Sequence, residues 1–120
     1  MKLKFRMYNK LRNQMVYSHE APSISQFFMG YELGIANGIP IELMQSTGLT
    51  DKNGVEIYEG DIIEYIDNPT NLCSGTFEVV FDAGFIGIHS HYGLHLNDIE
   101  PHKWATVIGN IHQHPKLLTK

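Results

Sequence analysis

The sequence predicts a mainly β fold, α+β at most, forming one small barrel or sandwich. Three observations predict it. Short apolar runs with period two recur along the chain, separated by Gly, Asn and Asp turn signals. Only one segment has helical spacing. The 120 residues are 42% apolar and 18% charged, enough for one core and unlike a disordered chain.

The opening reads as a strand. Leu3, Phe5 and Met7 alternate with Lys2, Lys4 and Arg6 through Tyr8, which predicts one apolar and one charged face. Asn9 to Asn13 is turn-like, and Gln14 to Tyr17 returns as the second strand of a hairpin. Ile24, Phe27, Phe28 and Tyr31 then fall at i, i+3, i+4 and i+7. Ser23 and Ser25 offer capping hydroxyls, Pro22 precedes the start, and Gly34 and Gly38 are expected to stop a short helix. An irregular loop held by Phe27 and Phe28 is the competing reading.

From Ile41 the pattern is all β. Ile41 to Gln45 is a strand, and Asp51-Lys52-Asn53-Gly54 is a tight turn, since Asn-Gly accepts positive φ. Tyr58 to Ile66 follows, with Gly60-Asp61 at its bend. Asn68 to Gly75 is a polar loop. Thr76 to Phe81 is a strand with Phe77, Val79 and Phe81 on one face, Asp82-Ala83-Gly84 is a turn, and Phe85 to His91 returns. His102 to His114 closes the domain, with Trp104, Val107, Ile108 and Ile111 as core candidates. The expected organisation is a hairpin and helix over residues 1–40 packed on a barrel over residues 41–120.

Three segments resemble the YopX family of phage and prophage proteins. The first is Lys4-Phe5-Arg6 with Met15. Met7-Tyr8 stands where the family usually carries Ala-Trp. The second, and the most specific, runs from Leu43 to Ile63 and contains Gly48, Asp51, Asn53, Gly54, Gly60 and Asp61. The third is Val107-Ile108-Gly109-Asn110-Ile111 followed by Pro115-Lys116-Leu117-Leu118, with His112-Gln113-His114 between them in place of the family's aromatic and polar residues. The resemblance implies a small Src-homology-3-like β-barrel with an N-terminal hairpin extension, a phage or prophage source and a bacterial host cytoplasm. It implies no reaction. The signature residues Gly48, Asp51, Asn53, Gly54, Gly60, Asp61, Gly109 and Asn110 are read as fold-defining, with Asp61 accepting hydrogen bonds from nearby backbone N–H groups.

The net charge is −4, and the first twelve residues carry five basic and no acidic side chains. The remainder, with four basic and thirteen acidic, carries −9. A basic leading segment on an acidic body can attract nucleic acid or an acidic partner, or it can lie against its own chain. The single cysteine, Cys73, allows no internal disulfide and suits a reducing cytoplasm. No signal-peptide run and no apolar stretch of about 20 residues is found, so no membrane is expected.

Seven histidines supply the one suggestive count. His89 with His91, and His112 with His114, form two His-x-His pairs that would each share a strand face and could ligate a transition metal. The structural reading, rim histidines, is preferred, so neither a metal nor any other cofactor is expected. Glu56, Glu59, Asp61 and Glu64 cluster, but carboxylates on a strand more often form a solvated face. Ser46, Thr47 and Ser74 lack a base partner at a readable spacing. No enzyme is expected. Binding is preferred, to a protein partner or to a second copy. Lys4, Arg6, Tyr8 and Tyr92 are the candidate contact residues, the tyrosines as exposed stacking platforms. Nucleic acid is the alternative partner, disfavoured by the acidic body.

Overall fold

The structure, a computed structural model, describes residues 4–66, 75–82, 85–88 and 100–118, with backbone alone at 82 and 85–88. Its elements are β1 (Phe5–Asn9), β2 (Gln14–Tyr17), α1 (Ile24–Ala36), β3 (Ile41–Thr50), β4 (Glu56–Tyr58), β5 (Asp61–Tyr65), β6 (Gly75–Asp82), β7 (Phe85–Ile88), α2 (Pro101–Trp104) and β8 (Ala105–Asn110). The fold is mainly β, as expected. Its strands form two antiparallel sheets, one of them curled as a half-barrel, with orders β2-β1-β3-β4 and β7-β6-β5-β8.

The chain divides into two compact units, Met1–Ser46 and Thr47–Lys120. The division falls inside β3. Ile41 to Gln45 pairs antiparallel with Asn9 to Phe5, which ties the first half of β3 to the N-terminal hairpin. The second half belongs with β4, where Thr47 Oγ1 donates to the Ile57 carbonyl at 2.7 Å.

In the first unit, Asn9 Oδ1 accepts the N–H groups of Leu11 and Arg12 at 3.0 and 3.1 Å. This side-chain turn returns the chain into β2. Ser23 is the helix cap, its hydroxyl accepting from Gln26 N–H at 3.1 Å. Gly34 does not stop α1, which runs thirteen residues. It sits where a Cβ would collide with the Ile41 side chain, so its role is close helix-to-strand approach. Gly38 makes the stop. It has φ +76°, and the N–H groups of Gly38 and Ile39 donate to the carbonyls of Ile35 and Gly34 at 3.0 and 2.9 Å. That pair of bonds satisfies the last helical carbonyls. Phe27 is buried, but Ile24 of the expected apolar stripe is 43% exposed, since it lies in the first turn.

The second unit holds a core of Ile57, Ile63, Tyr65, Val79 and Ala105, with Leu49, Phe77, Trp104 and Val107 packed against it. Each fully buried aliphatic there contributes about 1.5–3 kcal/mol. Ile108 does not join this core, being 37% exposed. Ile63 pairs with Val107 and Ile62 with Gly109, so Ile108 is the extra residue of a β-bulge. The bulge leaves Ile108 partly exposed beside the core-packed Val107.

Candidate docking site

Three of the signature residues, Asp51, Asp61 and Asn110, are buried polar groups. Asp51 is 2% exposed. Its Oδ1 accepts the N–H groups of Asn53 and Val55 at 2.8 and 2.9 Å, and its Oδ2 accepts Val107 N–H at 2.9 Å. Lys52 N–H donates to the Ala105 carbonyl at 3.0 Å. Turn and carboxylate together occupy the outer edge of β8, which would otherwise present open backbone groups. Gly54, at φ +81°, closes the turn. Asp61, also 2% exposed, accepts Tyr58 N–H at 2.8 Å, across a bend where Gly60 has φ +86°. Asn110 Oδ1 accepts the N–H groups of His112 and Gln113 at 3.1 and 2.9 Å. Gly109 leaves room for the returning chain, since a Cβ there would stand 2.8 Å from His114 Nδ1 and Leu117 Cδ1. Gly48 has φ +78°. These carboxylates and glycines shape turns and strand ends.

The expected contact residues are redistributed. Arg6 and Tyr8 are 3% and 6% exposed, so neither is a surface position. The alternation along β1 is real, but its better-covered face is the one carrying Arg6 and Tyr8. Phe5 and Met7 are only half-buried. Tyr8 is therefore no stacking platform, and its hydroxyl donates to Asn13 Oδ1. Lys10 pairs with Glu42 at 3.0 Å, so part of the basic opening is neutralised by its own chain. Lys4 is half-buried, and its carbonyl accepts Ser46 N–H at 2.8 Å. Tyr92, His89, His91 and Cys73 lie outside the described residues. His112 and His114 do not share a strand face, because β8 ends at Asn110 and both lie in the turn that Asn110 organises. His114 Nδ1 accepts Asn110 N–H at 3.2 Å, so this nitrogen is used in closing the turn. Among the described residues, no group of three or more His, Cys, Asp or Glu side chains could hold a metal ion.

The surface that sequence reasoning missed is on α1. Successive residues turn by about 100°, so Met29 lies about 200° from buried Phe27, and Leu33 stands one turn beyond Met29. Met29 is 58% and Leu33 59% exposed. Of the thirteen residues of α1, Glu32 alone is charged. An ordinary surface helix carries a polar outer face. Beside this face runs an open groove lined by Phe5, Ile24, Ser25, Phe28, Met29 and Glu32. The Phe5 and Phe28 rings meet edge to face at 5.0 Å. The signal was present in the sequence, since Met29 and Leu33 break the polar side of the helical pattern.

The described residues define a small, mainly β protein with the buried carboxylates Asp51 and Asp61 committed to turns and one helix exposing Met29 and Leu33 on its outer side. Residues 4–119 match the family described as YopX protein, and the chain belongs to that family. A crystal structure of protein EF1440 from Enterococcus faecalis is similar over 98% of this chain and 99% of that one, with a TM-score of 0.64 at 24% identity. That likeness shows the shared fold. No curated protein matches the chain. Among the described residues, no helix is long and apolar enough to cross a membrane.

Proposed function

We propose that this protein is a non-catalytic interaction module that binds another polypeptide through the outer face of α1. The observation that carries the reading is the pair Met29 and Leu33, more than half exposed on a helix with one charged residue. Two neighbouring apolar side chains on one helix face, beside an open groove, form a strip that a partner can bury. The lack of a reaction is supported by the use made of Asp51 and Asp61, both spent on backbone N–H groups. The family resemblance supports a phage- or prophage-encoded origin and action in the cytoplasm of a bacterial host.

Nucleic acid is the weaker reading. It requires a concentrated basic patch, whereas Arg6 is buried and Lys10 is paired to Glu42. Self-association is tested together with it. Light scattering after size exclusion is run on the wild type and on Met29→Ser/Leu33→Ser, each alone and with single-stranded and duplex DNA. The reading predicts no DNA-induced shift at low salt. It also predicts that any oligomer of the wild type is weakened in the double variant. A DNA shift that reverts at high salt, unaffected by the two substitutions, contradicts it.

A further inference from the structure

The groove beside α1 has a chemistry that selects among polypeptides. Its floor is aromatic, from the edge-to-face contact of Phe5 and Phe28. Ile24 and Met29 add aliphatic and thioether surface. Methionine and aromatic side chains adapt to apolar partners of varied shape. Glu32 is the one charged residue in this lining, it is exposed, and no ion pair among the described residues engages it. Size points the same way. A thirteen-residue helix is about 20 Å long, so one face offers about 200 Å², well below the roughly 800 Å² per partner of a stable pair of folded proteins. That footprint suits a single segment of chain.

Resting on the reading of α1 as a docking surface, we propose that this groove takes an amphipathic, helix-forming segment of a partner protein that is basic on its polar side. Its apolar side chains pack on Phe5, Phe28 and Met29, and a lysine or arginine meets the Glu32 carboxylate at the rim. Docking an apolar helix face into a groove is a recurring mode of peptide recognition, read as anchors at i, i+3 or i+4 and i+7. The lone carboxylate supplies sign selectivity, because a like charge brought beside Glu32 would be repelled where an opposite one is held.

The probes are two synthetic helical peptides with the same leucine spacing, one carrying lysines and the other glutamates on the polar side. Each is titrated into the full chain, with affinity from calorimetry and location from NMR shifts of Phe5, Phe28 and Met29. The lysine peptide is expected to bind the wild type about fivefold more tightly, which corresponds to a single half-exposed ion pair. Glu32→Lys inverts the order. Glu64→Lys, an equal charge change at an exposed position of β5, leaves the order unchanged and so separates local pairing from the net charge. Equal binding of both peptides, abolished by Met29→Ser/Leu33→Ser, overturns the basic-partner inference and leaves the docking surface standing. An order that Glu64→Lys disturbs as much as Glu32→Lys overturns the inference in the same way. Failure of both peptides to shift the groove signals overturns the inference and the docking reading together.

Discussion

Asp51 is the residue on which the second unit turns. Its two oxygens accept three backbone N–H groups, one of them on a strand 56 residues further along. Hydrogen bonds to a charged acceptor each contribute about 1.5–3 kcal/mol, and removing the acceptor leaves donors unsatisfied. Asp51→Ala is expected to cost about 3 kcal/mol in a urea melt, with Val107 N–H losing its protection from hydrogen exchange. Loss of stability with Val107 still protected would mean that the carboxylate acts only within its own turn. The turn itself was readable, because Asp-Lys-Asn-Gly carries its geometry locally. The reach to Val107 was not, because no local pattern marks a contact at that separation. Arg6 and Tyr8 show the same limit. Alternation divides β1 into two faces, but tertiary structure decides which one is buried. Glu100 gives a smaller test. Its hydrogen bond from Lys103, at 2.9 Å, and then that residue's charge hold its carboxyl below the usual glutamate range. A depressed carboxyl favours the folded state above the ordinary glutamate range, and the benefit is lost as pH falls through the lowered value. NMR titration should show Glu100 returning toward the ordinary range in Lys103→Ala.

At the scale of elements, α1 carries two opposed demands. Its inner face carries a glycine at position 34, where an added Cβ meets the terminal methyl of Ile41. Rotation of that side chain can relieve the contact, so Gly34→Ala is expected to change stability by less than about 1 kcal/mol, residual overpacking offsetting the gain in helix propensity, and Ile41→Val in the same chain should shift the balance toward stabilisation. Gly30, in contrast, has open space around it. Gly30→Ala should stabilise by about 1 kcal/mol from helix propensity alone. On the outer face, Met29→Ser and Leu33→Ser should each leave stability within about 0.5 kcal/mol, since neither side chain is buried. All four are read from thermal or urea melts. A large loss on Leu33→Ser would show that this side chain holds the fold and would remove the basis for a docking surface. Helical spacing located α1, and the local rule for glycine ended it too early at Gly34. The left-handed turn lies at Gly38, and telling the two glycines apart requires knowing what packs beside each.

For the whole molecule, the distribution of charge is the property most open to misreading from sequence. Five basic residues in the first twelve look like a phosphate-binding footprint, and the folded chain buries Arg6 and pairs Lys10 with Glu42. Of the five, Arg12 stays exposed and Lys4 half-buried among the described residues, too thin a set for a concentrated phosphate-binding patch, so any DNA affinity should be weak and its salt slope shallow. Among the described residues, α1 presents Met29 and Leu33 together on one exposed face.

Photo-crosslinking from position 33 tests this account most directly. A benzophenone amino acid replaces Leu33 in one chain and exposed Leu11, in the β1–β2 turn, in a second, and both are irradiated in bacterial cell lysate. The account predicts a discrete polypeptide adduct from position 33, lost when Met29→Ser is added, with no matching adduct from position 11. Adducts to nucleic acid from position 11, with none to protein from position 33, would contradict it.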